Sequence, residues 1–342
     1  MNKADNHSTR RITLAHGNGG RFMRELIEEI FAKHLNNSEL NIELDAAPIS
    51  PPEGVLMMTT DGFTVKPLEF PGGNIGSLAI HGTVNDLAVS GATPLYLTLN
   101  AFIEEGLEFE TLNRLVKSMA EAAKDAGVKI IAGDTKVVPH GEGSGVYFAT
   151  TGIGVRRAEL NMGPTQIREG DHLIVSGPVG DHGAAVMLAR EEFGLRGDLK
   201  SDAACVLPLT QMATKLSGLR FMRDPTRGGL ASVCHELARA TKMNILLREH
   251  HIPVNDAVNS VCEILGYDPL YLACEGRVVA VVSAEKTETL IELWRQHPLG
   301  KSAAVIGQFQ QSQESSRVIL ETELGGKRLL HELEDEPLPR IC

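Results

Sequence analysis

Between positions 20 and 34 the apolar residues Phe22, Met23, Leu26, Ile27, Ile30 and Phe31 recur every three or four places. That spacing predicts a helix over 20–34, entered through Gly17-Asn18-Gly19-Gly20. The period then shortens. Val55–Thr60 is a brief apolar run ending at Asp61-Gly62, the pattern of a strand that stops at a turn. Pro71-Gly72-Gly73-Asn74 introduces a helix of small residues through Ala88. Leu95, Leu97, Leu99 and Ala101 alternate with Tyr96, Thr98 and Asn100, as a half-buried strand requires. Thr111–Ala126 carries a second helical stripe (Leu112, Leu115, Val116, Met119, Ala123) and closes at Gly127. Val128–Ala132 leads into Gly133-Asp134, and Val146–Val155 predicts another strand.

Arg156 to Gly170, with Gly163-Pro164 inside it, breaks the pattern and marks a domain boundary. Beyond it the alternation resumes. Strands are expected at His172–Ser176, Asn244–Arg248, Arg277–Ser283, Ala303–Phe309 and Arg317–Glu321. Helices are expected from Asp181 and over Cys205–Leu216, Gly228–Thr241, Val254–Leu265 and Glu285–Gln296. The fold class read from this is α/β (an α+β sandwich): two α/β domains, each with helices over one face of a sheet. The expected division is a disordered N-terminus over 1–11, domains over 12–156 and 157–330, and a tail over 331–342. The tail ends Pro337-Leu338-Pro339-Arg340-Ile341-Cys342, where two prolines forbid a helix and predict an extended arm carrying a thiol. Twelve residues reach roughly 40 Å at ~3.3 Å per residue.

Composition narrows the classes. A hydrophobic share of 42% and 23% charged residues suit a globular chain, and 34 glycines against one Trp suggest many close backbone approaches. Net charge is −11 without a basic cluster, so nucleic acid is not expected as a partner. Five scattered cysteines (Cys205, Cys234, Cys262, Cys274, Cys342) without CxxC read as reduced thiols of a cytoplasmic protein. The polar start Met1-Asn2-Lys3 is not a signal peptide, and no apolar run approaches a membrane span.

Candidate chemistry lies at the ends of elements. Asp61, Asp86 and Asp134 sit at predicted strand or helix exits, and Asp224 lies in Arg223-Asp224-Pro225-Thr226-Arg227-Gly228-Gly229. Carboxylates beside glycines suit Mg²⁺, which takes one or two of them together with phosphate oxygens. Converging unneutralised, each pair would repel by about 4 kcal/mol at ~4 Å and an effective dielectric of ~20. Lys136 stands beside Asp134. Gly17-Asn18-Gly19-Gly20 precedes a helix N-terminus suited to an anion, though it is neither a Walker A loop nor a dinucleotide fingerprint. Taken singly, Asp-Gly is also an ordinary turn, Asp224 could orient Arg227, and Glu275 could pair with Arg277.

The ordered motifs HGNGG (16–20), TTDG (59–62), FPGGNIGSLAIHGTVNDLAVSGA (70–92), IAGDTKVV (131–138), SGPVGDHGAAV (176–186), RDPTRGGL (223–230) and the final PLPRIC resemble the HypE family. These are the carbamoyl dehydratases of nickel–iron hydrogenase maturation, in the aminoimidazole ribonucleotide synthetase-like ATP-binding superfamily. The resemblance runs from about residue 12 to 342. It implies that 12–156 binds ATP and pairs in a homodimer whose sheets close into a barrel-like core. It implies ATP and Mg²⁺ as cofactors, with metal at Asp61, Asp86, Asp134 and Asp224. Nucleotide would contact Gly17, Asn18, Gly19, Gly20, Asn85, Thr135 and Lys136, and the reaction would use Cys342, Lys136 and Glu275, the last as base. The carbamoyltransferase HypF would load a carboxamide on Cys342, and an iron scaffold of HypC and HypD would receive the cyanide. A small-molecule kinase or synthetase of the same superfamily and a noncatalytic ATP-switched carrier stay open as alternatives.

Overall fold

The computed structural model describes residues 10–44, 46–50, 53–190, 197–313 and 315–333. Helix α1 (Arg21–Leu26) runs through a π-helical stretch, Ile27–Ala32, into α2 (Lys33–Leu35), so the apolar stripe of 20–34 is one continuous helical rod. A four-stranded sheet follows, built from β1 (Val55–Phe63), β4 (Ala92–Glu104), β5 (Lys129–Val138) and β6 (Val146–Arg156), with β2 (Glu69–Phe70) and β3 (Gly73–Asn74) forming a separate small ladder. Its order is β1-β6-β4-β5, with only β4 and β5 parallel.

Two helices cover its inner face, α3 (Ile75–Val89) and α4 (Phe109–Ala126). The Asn74 side chain caps α3 by accepting from the N–H groups of Gly76 (2.9 Å) and Ser77 (3.1 Å). Its small residues let it sink deep. A Cβ on Gly76 would stand 2.1 Å from the Leu115 carbonyl oxygen, and one on Gly82 would stand 2.7 Å from the Phe63 ring. The stripe of α4 is buried as its spacing predicts, and Gly127 ends it in the left-handed region at φ 71°.

Two expectations change here. The strands do not stop before Asp61 and Asp134: Asp61 stays in register with Thr150, and Asp134 with Asn100. Each aspartate accepts the N–H of the next residue at 2.8 Å, the local bond that elsewhere starts a turn. β1 and β5 are the sheet's edges, so that bond fits inside a continuing strand. Arg10 and Arg11, expected to belong to a disordered N-terminus, are tied down. The Arg10 carbonyl accepts from Phe109 N–H at 2.9 Å, and Arg11 bridges to Glu108.

The second half centres on a seven-stranded sheet of order β13-β12-β9-β11-β7-β10-β8. Its strands are β7 (His172–Val175), β8 (Leu219–Arg223), β9 (Asn244–Arg248), β10 (Val279–Val282), β11 (Ala304–Gln310), β12 (Val318–Glu321) and β13 (Lys327–Leu329). Helices α5 (Asp181–Ala189), α6 (Leu207–Ala213), α7 (Gly229–Thr241), α8 (Asp256–Leu265) and α9 (Thr287–Arg295) surround it. The one-sided layer expected for this half is corrected. α7 packs with Val279 and Val281 on one face, whereas α6 and α9 pack with Ala280 and Val282 on the other. All four residues of β10 are therefore buried, as in strands covered on both sides. α5 and α8 join the apolar core of the first half through Ala184, Val186, Val258 and Cys262. Among the described residues no helix is long and apolar enough to cross a membrane.

Candidate active site at the junction of the two halves

A cavity of about 470 Å³ opens between β1, the C-terminal half of α3 and the turn that follows β8. β1 supplies Thr59 and Asp61, α3 supplies Asp86, the end of β8 supplies Arg223, the turn after it supplies Asp224 and Arg227, and the loop before β10 supplies Glu275. Alternation along β1 sends Asp61 and Phe63 toward α3, and Thr59 Oγ1 donates to Asp86 Oδ2 at 2.9 Å. Three of the four predicted metal residues thus meet the predicted base.

Their electrostatics are those of crowded acids. Burial is the first cause raising each of the carboxyls of Asp61, Asp86, Asp224 and Glu275. Asp224 is pushed up to about 7, with Asp86 and then Asp61 adding to burial. Glu275 lies well above the usual carboxylate range because Asp224, Asp202, Asp61 and Asp86 repel its charge in addition to burial. Arg227 draws the values of Asp61 and Asp86 back down. Arg223 is held at the rim by Glu236 at 2.8 Å. The possible pairing of Glu275 with Arg277 is not what forms: the Arg277 guanidinium meets Asp181 at 3.2 Å and Asp202 at 3.4 Å.

Asp134 does not join the cavity, which corrects the expected four-way convergence. Asp61 shares a cross-strand row with Thr150, Leu99 and Gly133, whereas Asp134 is one row on and faces the opposite side of the sheet. It stands three strand spacings away, ~14 Å at ~4.8 Å each, and is held below the usual carboxylate range chiefly by Lys136, whose Nζ lies 2.8 Å from Oδ2. Gly17 lies against this edge; a Cβ there would come 2.9 Å from the Val137 backbone nitrogen. Thr135 and Asp134 line a second cavity of about 420 Å³ under the α1 rod. Gly19 is left-handed at φ 80°, and Gly20 begins α1 without a side-chain cap. Gly17, Thr135 and Lys136 therefore lie with Asp134 at the β5 edge, and Asn18, Gly19 and Gly20 follow Gly17 along the chain into α1.

Asn85 is also reassigned. Its side chain is buried and donates to the carbonyls of Ala204 (2.9 Å) and Glu275 (3.2 Å), while its oxygen accepts from Val206 N–H at 2.8 Å. Both N–H donors are spent inside the protein, so it is not free to hold nucleotide. Cys342 lies outside the described residues. The sequence reading missed Arg223 and Arg227 as lining groups, although both flank Asp224 within one short motif. It also missed Thr59, two residues before Asp61, and Asp202, which carries no local signal.

Carboxylate oxygens are the donors Mg²⁺ prefers. Among the described residues no three acidic, histidine or cysteine side chains stand close enough to hold an ion by themselves. Asp61, Asp86 and Asp224 supply such oxygens, and a cation held there would need further ligands from outside the described residues.

The match to known proteins follows the two halves. A family model described as AIR synthase related protein, N-terminal domain, matches residues 43–156, and its C-terminal counterpart matches residues 168–319. Fold and site together define an AIR-synthase-type chain of two domains. The carbamoyl dehydratase HypE of Azotobacter vinelandii is 46% identical over 332 residues, covering 97% of each chain. A crystal structure of the hydrogenase maturation protein HypE in complex with ATP superposes at a TM-score of 0.91, with 40% identity over 96% of this chain and 99% of that one. A HypE–HypF complex structure superposes at 0.79, with 44% identity over 90% and 99%. The chain belongs to the HypE family of carbamoyl dehydratases.

Proposed function

We propose that this chain uses ATP to dehydrate an S-carboxamide on its own Cys342 to a thiocyanate, as a cytoplasmic homodimer. The observation that carries the reading is the cavity in which Asp61, Asp86 and Asp224 face Glu275, with only Arg223 and Arg227 as cations among the described residues of its lining. ATP as substrate rests on the nucleotide-bound relative, and HypF as the carbamoyl donor's enzyme rests on the HypE–HypF complex. An iron scaffold of HypC and HypD is the proposed acceptor of cyanide.

The chemistry follows from the leaving group. A carboxamide oxygen leaves poorly, so the oxygen attacks the γ-phosphorus of ATP, ADP departs, and loss of one N–H proton gives an imidate phosphate on sulfur. Cleavage of the C–O bond with loss of the second N–H proton then gives S–C≡N and inorganic phosphate. Asp61, Asp86 and Asp224 would hold Mg²⁺, which would supply neutralisation of phosphate charge when bound. Glu275, whose carboxyl burial and neighbouring acids raise above the usual carboxylate range, would take the N–H protons in its ionised form. Gly17, Asn18, Gly19 and Gly20 would cover the phosphates with the open start of α1.

Lys136 and Asp134 would act from a second copy. The outer face of the small sheet exposes Leu56 (54%), Met58 (73%) and Phe102 (40%) on the same side as Lys136. Two such sheets closing edge to edge into a barrel would bury that face and set β5 of one copy beside β1 of the other.

The test is intact mass of the full chain with HypF, carbamoyl phosphate and ATP, then fresh ATP. A carboxamide adduct on the C-terminal peptide that loses one water is expected. An adduct that never forms, or forms equally on Cys342→Ala, ends the proposal.

A further inference from the structure

Glu275 sits in a loop with no strand ladder to hold it, yet every polar group of its peptide is taken. Asp202 accepts the Glu275 N–H through Oδ1 at 3.1 Å and the Gly276 N–H through Oδ2 at 3.3 Å. The Glu275 carbonyl accepts from Asn85 Nδ2 at 3.2 Å and from the Ala204 N–H at 3.3 Å. Neither clamping side chain is at the surface: Asp202 is 1% exposed at its side chain and Asn85 is buried. Both are fixed in turn. Arg277 Nε lies 3.4 Å from Asp202 and donates to the Pro178 carbonyl at 2.7 Å, and Asn85 is locked by Ala204 and Val206. Gly276 makes the fit possible, since a Cβ there would stand 1.8 Å from the Asp202 carbonyl oxygen.

We propose that Asp202 and Asn85 are positioning residues that aim Glu275 at the N–H protons of the substrate. Asn85 also neighbours Asp86 on α3, so its bond to Glu275 fixes the distance between the base and a phosphate-side carboxylate of the first half. A buried carboxylate accepting two successive N–H groups defines the direction of a loop far better than one contact could. A base misplaced by even ~1 Å loses on the order of 10²-fold in rate. The proposal rests on Glu275 as the base, and its test separates the two.

The measurement is single-turnover phosphate release from the full-length, carbamoylated protein across a range of ATP concentrations. Glu275→Gln, Asp202→Asn and the double variant are compared. Asp202→Asn keeps the bulk and loses one acceptor, so it is expected to lower the plateau rate by roughly 10- to 100-fold. The ATP concentration at half-saturation should stay within about 2-fold, and the amplitude, which counts folded and loaded sites, should be unchanged, whereas a merely structural defect would lower the amplitude. The double variant is expected to be no slower than Glu275→Gln alone, because Asp202 acts through Glu275. Asn85→Ser, which withdraws support from the carbonyl side, carries the same expectations and serves if Asp202→Asn does not fold. A wild-type plateau in these variants, a changed half-saturation with an unchanged plateau, or multiplied defects in the double variant overturns the clamp. A wild-type rate in Glu275→Gln removes the base itself, and the clamp with it.

Discussion

Asp224→Asn removes one charge from the acidic cavity without removing its bulk. In the folded chain, burial first, then Asp86 and Asp61, push this carboxyl from 3.8 up to about 7. A displacement of about three units at 1.36 kcal/mol each means that ionising Asp224 costs the ligand-free fold about 4 kcal/mol. The folded value is the higher one, so protonation favours the folded state. That contribution is complete below about pH 4, is lost as the pH rises toward about 7, and is gone by pH 8. Asparagine is neutral throughout and keeps it. The variant should therefore be more stable than the parent by about 2–4 kcal/mol at pH 8 with chelator and no nucleotide, the lower figure allowing for an amide donor left unpaired. The gap should shrink toward zero by about pH 4. Urea unfolding at several pH values reads it directly. Added ATP and Mg²⁺ should raise the parent's midpoint more than the variant's. A variant less stable than the parent at pH 8, or a gap that ignores pH, would refute the crowding of acids on which the site rests.

Lys136→Ala should leave the urea midpoint within about 1 kcal/mol, because its ion pair with Asp134 is half-exposed, while single-turnover phosphate release falls by about 10²-fold or more. A stability loss above about 2 kcal/mol would mean the pair is structural. Met58→Glu should convert dimer to folded monomer in light scattering at micromolar concentration, and a variant that stays dimeric removes the outer sheet face from the interface. Mixing Lys136→Ala with Glu275→Gln chains should restore about a quarter of parental activity, since random pairing makes half of the dimers mixed and each mixed dimer holds one intact site. No recovery would place both residues within one chain's site.

Most of the fold was legible where periodicity met a clear stop. The stripe of α4 and its Gly127, and the run Asn244–Arg248, appear within a residue or two of expectation. β8 was missed because Leu219-Arg220-Phe221-Met222-Arg223 neither alternates cleanly nor runs apolar, and it is paired only with β10, through a bulge. Asp61-Gly62 and Gly133-Asp134 read as turns because nothing local tells an edge strand from a loop. The site was legible in kind more than in place. Asp61, Asp86, Asp224 and Glu275 converge as expected, but the side of the sheet on which Asp134 stands depends on register, which no single stretch encodes. Asn85 and Asp202 act by binding the backbone of a distant loop, so their importance exists only after packing.

Register also separates the proposed site residues of one copy into two groups. Asp134 follows the row of Asp61 by one residue, so the two face opposite sides, and the sheet separates them further by placing β1 and β5 at opposite edges. No side-chain movement carries Lys136 around three strands to the cavity at Glu275. Both strands nevertheless lie at edges of the sheet, and its outer face presents Leu56, Met58 and Phe102 to solvent. Closing two sheets on each other satisfies both liabilities with one contact. The same closure brings β5 of the second copy to within one strand spacing, ~4.8 Å, of β1. In that proposed dimer the strand carrying Lys136 would lie next to the strand carrying the neighbour's Asp61, with the two side chains starting from opposite faces of the wall. If the proposed pairing completes the site, a dissociated chain should bind ATP more weakly in an equilibrium titration and dehydrate nothing, and full activity in a monomeric variant would refute the pairing.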